Sequence, residues 1–421
     1  MKQSLREWQT ATVWRHRDLR VVGPARALSV MGDEIALIAL LLRVHDTGGG
    51  ARGVTLLLVS AAVPTVLLAP WAGRLADRAD SRLLAGGSAL MQLLVCVALA
   101  VTGAGWVVYP LVMGLQAGQA VANPTWGALV PRIVGESDIA RAQGALSALM
   151  TAGAVAGPAL GGLLTGLGGF RLAMLADAAT FAVLALAALV VRTRRGGRAS
   201  LADEPRPRAL DGVRLLTRDA VLGPVFACLM AYIVVGEATN VVEVFLVRDV
   251  LHGSATQFGL VGMVAGLGIV AGSLLGGRDT DLAGRVRWVV LAAAAQALMI
   301  LTAGLSATVL VLAGAWLGLG VANGVLNTSA SALLMLRTPE HSRGQALAAA
   351  MGASRAFSIL ALALGGVAGA VLGPRLTFVV AGACALAVAA MLAWAVRWCW
   401  RSAGPAASEV VSADAGASAY R

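Results

Sequence analysis

The chain has 421 residues, of which 58% are hydrophobic and 13% charged, with a mean hydropathy of +0.80, whereas an ordinary soluble domain is about 25% charged. So few charges cannot cover a water-soluble protein of this length, which excludes a soluble enzyme or binding module and leaves the lipid bilayer as solvent. A formal net charge of +11 would suggest nucleic acid in a soluble chain, but here the placement of the arginines accounts for it, and no nucleic-acid partner is expected.

In chain order, residues 1–20 carry Lys2, Arg6, Arg15, Arg17 and Arg20 and read as a cytoplasmic amino-terminal segment. Apolar stretches follow near 22–46, 54–72, 83–102, 106–130, 141–166 and 172–192, so that 21–192 forms a first unit. The Arg-rich, Pro-containing segment 193–219 reads as a cytoplasmic linker. A second unit, 220–398, holds stretches near 220–246, 256–276, 287–305, 308–335, 343–372 and 375–396, and the Ala-, Ser- and Gly-rich end, 399–421, is expected to be a disordered cytoplasmic tail.

Each stretch is long enough, at about 1.5 Å per residue, to cross a hydrocarbon layer roughly 30 Å thick. Only helices or closed barrels satisfy their backbone polar groups in lipid, and long apolar runs without alternation select helices. The expectation is an all-α membrane protein of twelve transmembrane helices. Arg74, Arg78, Arg82, Arg132, Arg141, Arg278, Arg285 and Arg287 fall on the side of the amino terminus and linker, while the opposite loops hold Arg43, Arg52, Arg171, Arg248 and Arg375. That asymmetry places both termini in the cytoplasm and the chain in the cell (inner) membrane. The charged first twenty residues lead into a span longer than a signal-peptide core, so the first helix reads as an uncleaved anchor. Cys96, Cys228, Cys384 and Cys399 have no metal-ligand spacing, and neither a metal nor a cofactor is expected.

Sliding the sequence by 204 residues sets Gly32-Asp33 on Gly236-Glu237, Gly73-Arg74 on Gly277-Arg278, Asp77 on Asp281, Asn123 on Asn327, Gly161-Gly162 on Gly365-Gly366 and Arg171 on Arg375. Acid, asparagine and arginine matches at one offset mark a repeat. Each unit holds six spans, an even number, so the repeat is parallel: two pseudo-symmetric six-helix bundles that would enclose a cavity and rock about it.

Between the second and third spans stands Gly73-Arg74-Leu75-Ala76-Asp77-Arg78-Ala79-Asp80-Ser81-Arg82, in which Gly73 would turn the chain and Asp77 could exchange charge pairs with its basic neighbours. The fifth span carries Gly144, Gly153, Gly157-Pro158 and Gly161-Gly162. The glycines at 153, 157 and 161 share one helix face and permit close backbone approach, while Pro158 removes the hydrogen bond that would reach back to Ala154. These two segments resemble the cytoplasmic loop and antiporter signatures of the major facilitator superfamily. The resemblance implies that fold, a cytoplasmic latch of Gly73, Asp77, Arg78 and Arg82, and an antiporter motif at the six fifth-span positions. It departs from the family where Asp80 stands for a usual glycine, Ser81 for a usual base, and the fourth span lacks an arginine. In the second half Phe357, Ala361 and Leu362 replace the mates of Gly153, Gly157 and Pro158, an asymmetry that in the family accompanies exporters. The Gly32-Asp33 start and the Asn123-Pro124 pair are similar to the macrolide-efflux and siderophore-exporter-like group.

A charge at the bilayer centre costs about 2.5 to 3.5 kcal/mol on insertion scales, so each intramembrane ion needs a reason. Asp33 lies about 18 Å into the first helix; Glu237 is its repeat mate, Glu243 lies further along, and Arg355 sits well inside the eleventh span. Glu34 projects about 100° from Asp33. Asp33 or Glu237 is the candidate carrier of a coupling proton, against the alternative of a static pair with Arg355, which could instead meet an anionic substrate. His16, His45, His252 and His341 fall in loops or termini, so a proton path must use carboxylates. Gln119, Asn123, Asn240 and Asn327 are candidate cavity residues, with interhelical hydrogen bonding as the other duty open to each.

These readings predict a secondary active transporter, working by alternating access as a monomer on a small-molecule substrate and protons, with export of lipophilic drugs or secondary metabolites expected. The rivals are an importer or uniporter of a small polar metabolite, which calls for a cavity rich in hydrogen-bonding groups, and a non-transporting receptor or scaffold. An enzyme is not expected, since no nucleophile and base converge, and the chain has no G-x-x-x-x-G-K loop for ATP.

Overall fold

The computed structural model describes residues 13–102, 105–193, 209–219, 222–278, 282–339 and 342–402. Among these the chain is all-helical: α1 Arg17–Asp46, α2 Gly50–Arg78, α3 Ser81–Thr102, α4 Val108–Val134, α5 Ile139–Val190, α6 Ala209–Arg218, α7 Leu222–Phe245, α8 Ala255–Gly276, α9 Leu282–Leu305, α10 Val309–Arg337 and α11 Arg343–Ser402. A π-helical turn, Leu246–Val250, ends α7.

The two longest helices, α5 and α11, are each two helical segments joined at a corner. Gly169 takes φ 69° and ψ −174°, and Gly373 takes φ 74° and ψ 172°. Only glycine occupies that region without strain, and the two corners stand 204 residues apart, the offset of the repeat. Eight helical stretches are long and apolar enough to cross a membrane, the two broken ones among them. α1 and α4 fall outside that set because each carries its polar groups in mid-helix: Arg26, Asp33, Glu34 and Arg43 in one, Gln116, Gln119 and Asn123 in the other.

Packing repeats as the sequence does. In the first half α1 lies on α5, α2 on α4, and α3 on α4 and α5; in the second, α7 lies on α11, α8 on α10, and α9 on α10 and α11. Across the halves α5 meets α8, and α11 meets α2. Leu83, Leu94, Leu167, Leu274, Leu310 and Val371 are each more than half exposed, a surface that only lipid tolerates at this density.

Three expectations shift. The 193–219 linker contains a helix, α6, whose Leu216 is buried among Leu222, Val225 and residues of α11; residues 194–208 lie outside the described residues. α11 runs through 399 to Ser402, past the expected start of the tail, because its apolar face continues to Val396; residues 403–421 and 1–12 lie outside the description. Gly73, Asp77 and Arg78 sit on the last turns of α2 rather than in a loop, and Gly73 is helical with no turn to make. The chain turns instead at Ala79, φ −94° and ψ 162°. Asp80, where the family pattern has glycine, accepts hydrogen bonds from the backbone N–H of Arg82 at 2.7 Å and Leu83 at 3.4 Å, capping α3.

Candidate functional site

A cavity of about 710 Å³ opens within the second half, lined from α6 to α11. α7 brings Glu237 and Asn240 to it, α9 Gln296, α10 Trp316, Asn323 and Asn327, and α11 Ser354, Arg355 and Ser358. Ser358 Oγ donates to Glu237 Oε1 at 2.8 Å, and Asn240 Nδ2 to Oε2 at 3.2 Å. Asn327 Nδ2 donates to Asn323 Oδ1 at 2.8 Å. Arg355 is exposed to the cavity and, among the described residues, makes no ion pair or hydrogen bond, so the static pair with an acid is not formed here. Glu243 does not line the cavity; it accepts from the indole Nε1 of Trp316 at 2.6 Å, and Trp316 in turn lies 5.9 Å, centroid to centroid, from Phe378. The lining is richer in hydrogen-bonding side chains than a purely lipophilic cargo requires.

The first half holds a tighter polar cluster. Gln119 Nε2 on α4 donates to Asp33 Oδ2 on α1, and Arg26 Nη2 donates to Asn123 Oδ1 at 3.0 Å. Beside them stands Asp177, on the second segment of α5 and fully buried, which accepts from Cys96 Sγ at 3.2 Å and Thr180 Oγ1 at 3.2 Å. Gly32 makes room for it: a Cβ there would collide with Asp177 Oδ1 and Thr180 Oγ1. Gly32 and its neighbour Asp33 therefore bring two carboxylates together at one level of the helices. Asp177 and Arg26 were not among the residues singled out in the sequence. A lone acid between Ala176 and Ala178 in an unbroken apolar run was the available signal, masked because its mate at the repeat offset is Ala381.

The glycines of the fifth span divide between two faces. Gly153, Gly157 and Gly161 pack against α1 within the same half, where a Cβ on Gly161 would stand 3.0 Å from Ile35 Cα. Gly162 faces the other half, its Cβ position 3.0 Å from Gly259 Cα on α8, and Pro158 contributes its carbonyl to the same contact. The mates repeat this division: Gly365 packs on Ala238 of α7, and Gly366 on Thr55 of α2, across the halves. Gly144 has nothing within 4 Å of its Cβ position and takes no part.

Four side chains reinforce the end of the molecule where α2 and α8 begin. His45 Nε2 lies 2.7 Å from Asp249 Oδ1 and its Nδ1 2.9 Å from Asp46 Oδ1, while Arg248 Nη2 lies 3.7 Å from Asp46. Residues 45 and 249 are themselves repeat mates. At the opposite end, where α1 begins, Asp138 draws Arg141 at 2.9 Å and Arg15 at 3.1 Å. Burial works to raise its carboxyl, but these bonds and charges outweigh it and hold Asp138 below its ordinary value. The side chain of Asp77 lies outside the described residues, as does all of its mate Asp281.

The family model of the Major Facilitator Superfamily matches residues 22–247 and again 225–410, so that nearly the whole chain is covered, each half in turn. The chain belongs to the major facilitator superfamily. It is 23% identical over 377 residues to the MFS-type transporter YfiS of Bacillus subtilis (strain 168), covering 85% of this chain and 88% of that one. In fold it is similar to the nucleoside transporter NupG (TM-score 0.73, 13% identity, 90% of this chain and 100% of the other). A peptide-bound POT family transporter gives a TM-score of 0.72 at 12% identity over 91% and 96% of the two chains. A bacterial homologue of the lysosomal transporter Spinster, solved in an inward-facing and occupied conformation, gives 0.70 at 14% over 90% and 96%. As a member of this superfamily the chain is a multi-pass membrane protein of the secondary-transporter class, and the cavity and acid cluster are its candidate working parts.

Proposed function

We propose that this transporter exchanges protons for a small amphipathic compound and exports it, alternating between two six-helix bundles of twelve spans, with both termini on the cytoplasmic face of the inner membrane. The observation that carries the reading is the division of close contacts. The bundles touch through Gly162 with Gly259 and Gly366 with Thr55, toward the end that also holds the His45 and Asp249 pair. The cavity meanwhile reaches Leu216, Leu222, Leu334 and Leu347 at the end that carries the termini. A seam closed at one end, with a cavity of the second half reaching the other end, supports reading this conformation as one limb of an alternating-access cycle.

Asp33, with Asp177 beside Gly32, is the proton site in this reading, because it is an intramembrane carboxyl held by the Gln119 amide, with a second buried acid against the neighbouring glycine. Glu237 and Arg355 then belong to the cargo. Asp77, Arg78 and Arg82 latch the terminus-bearing end when it closes, and the chain works as a monomer. The polar lining of the cavity also suits the rival reading, import of a polar metabolite. Inverted vesicles energised by respiration decide between them: a panel of lipophilic cations, macrolides and siderophore-like anions should show accumulation that collapses with the proton gradient. Efflux from the vesicles in place of accumulation would favour import, and no gradient-dependent movement of any compound would remove the transport reading.

A further inference from the structure

The cavity holds an acid and a base that do not neutralise one another. Glu237 is held by two neutral donors, Ser358 and Asn240, and among the described residues it meets no cation. Arg355 precedes Ser358 by three residues on α11, so the two share a helix face one turn apart, and Ser354 on the same face also lines the cavity. Arg355 is thus one helical turn from the serine that holds the carboxylate, both ions line the same 710 Å³ space, and no N to O distance between them falls within 4.0 Å. Gln296, 4% exposed and on the cavity wall, has an Nε2 with no hydrogen-bond partner.

An uncompensated charge becomes costly once a cavity closes and loses its water. A singly charged cargo relieves one of these two ions and leaves the other bare, or worse, beside a like charge. A neutral cargo relieves neither. A cargo with one cationic and one anionic group satisfies both, and an anion such as a carboxylate matches the fork of a guanidinium. The volume fits a drug-sized molecule, and the rest of the wall, Ile233, Ile269, Ile300, Leu319 and the ring of Trp316, suits an apolar or aromatic body.

From this, resting on the reading of the cavity as the cargo site, we infer that the substrate is amphoteric: an aliphatic amine for Glu237 and a carboxylate for Arg355, carried on an apolar or aromatic body. Sequence composition points only to lipophilicity, and the cavity adds the two charges.

Three dansyl compounds test it on the purified full chain in lipid nanodiscs, by fluorescence enhancement: Nε-dansyl-lysine with amine and carboxylate, dansylcadaverine with the amine alone, and N-dansyl-6-aminohexanoate with the carboxylate alone. Nε-dansyl-lysine should bind at least about tenfold more tightly than either of the others, a difference of about 1.4 kcal/mol. Glu237→Gln should lower its affinity to that of the carboxylate probe and leave that probe unaffected; Arg355→Gln should lower it to that of the amine probe. Glu237→Asp and Arg355→Lys, which keep the charges, should retain most of the preference, and variants are compared at matched melting temperature and elution profile. Equal binding of all three probes, or no binding of any, overturns the inference. So does a double variant, Glu237→Gln with Arg355→Gln, that regains a stability both single variants lose, since that marks an internal ion pair. Vesicle transport is read separately: a chain that moves only singly charged compounds keeps the transport reading and loses this one, and a chain that binds Nε-dansyl-lysine yet moves nothing does the reverse.

Discussion

The two halves share a scaffold and differ in what they do with its polar positions. Gly32-Asp33, Gln119 and Asn123 in the first half correspond at the 204-residue offset to Gly236-Glu237, Asn323 and Asn327 in the second. In the first half the acid is bound across helices by Gln119, Asn123 is taken by Arg26, and Asp177 fills the space that Gly32 leaves. In the second, Asn323 and Asn327 bond to each other, and Glu237 turns to Ser358 with Arg355 left open to the cavity. Two positions set the networks apart: Arg26 has Met230 as its mate and Asp177 has Ala381, so the second half has neither of these groups. The two halves thus pack alike and differ in how their polar side chains are partnered. Their contacts stayed alike, with Gly162 and Gly366 both serving the seam between halves.

The sharpest way to break this comparison is at the shared seam. Gly162→Leu should reduce transport by more than about a hundredfold, because its side chain would enter the backbone of α8 where Gly259 Cα already stands 3.0 Å from the Cβ position; Gly144→Ala, with open space around it, should change transport by less than about twofold. Next comes the division of labour. Asp33→Asn should abolish accumulation driven by the proton gradient in vesicles while leaving probe binding in the second-half cavity within about twofold of wild type, whereas Glu237→Gln should weaken both. A smaller effect is expected from Asp177 and its partner: Cys96→Ala removes a buried donor and should cost about 1 to 3 kcal/mol in thermal unfolding in detergent, while Ile300→Ala, at the mate of Cys96 and on the cavity wall, should lose packing and weaken cargo binding but leave the pH dependence of transport unchanged.

The smallest expected effect lies at the mouth of the first half, where Asp18 ties the start of α1 to the end of α5 by accepting from the backbone of Arg192 at 3.1 Å and Thr193 at 2.8 Å. Burial raises the Asp18 carboxyl, but the bonds from Thr193 and Arg192 outweigh it and hold the group below its ordinary value. The sign follows: its stabilisation is complete above about pH 4, the unfolded value, and is lost as pH falls through the lower folded value. Asp18→Asn should therefore lower the melting temperature equally at pH 7 and pH 5, and the gap to wild type should close only below about pH 4.

Much of this molecule could be read before any coordinates, because lipid imposes its demands on long stretches of chain. The apolar runs place the helices, and the constant offset exposes the duplication. The glycine face at 153, 157 and 161 also sits against a neighbouring helix as close backbone approach requires, although that neighbour, α1, belongs to the same half, and the contact across halves falls to Gly162. What the sequence conceals is pairing. Asp177 was overlooked because a repeat search favours residues that have a like mate. His45 and Asp249 do lie at the repeat offset, but a base opposite an acid does not register as similarity. Gly73 was expected to turn the chain, yet α2 continues through it to Arg78, and the turn fell to Ala79 with Asp80 as cap. Met230 and Ala381, which stand where the first half has Arg26 and Asp177, carry no chemistry that would mark the difference between the halves.

In the proposed cycle, transport requires the His45 and Asp249 end to part while the other end closes. Cysteines at these two positions, His45→Cys with Asp249→Cys in a chain whose native cysteines are replaced, can be joined by a short bis-methanethiosulfonate linker. Joined protein should lose proton-driven accumulation almost completely and recover it on reduction, while each single cysteine variant treated alike keeps it. Accumulation that continues undiminished in the joined protein would contradict the alternating opening on which the whole account stands.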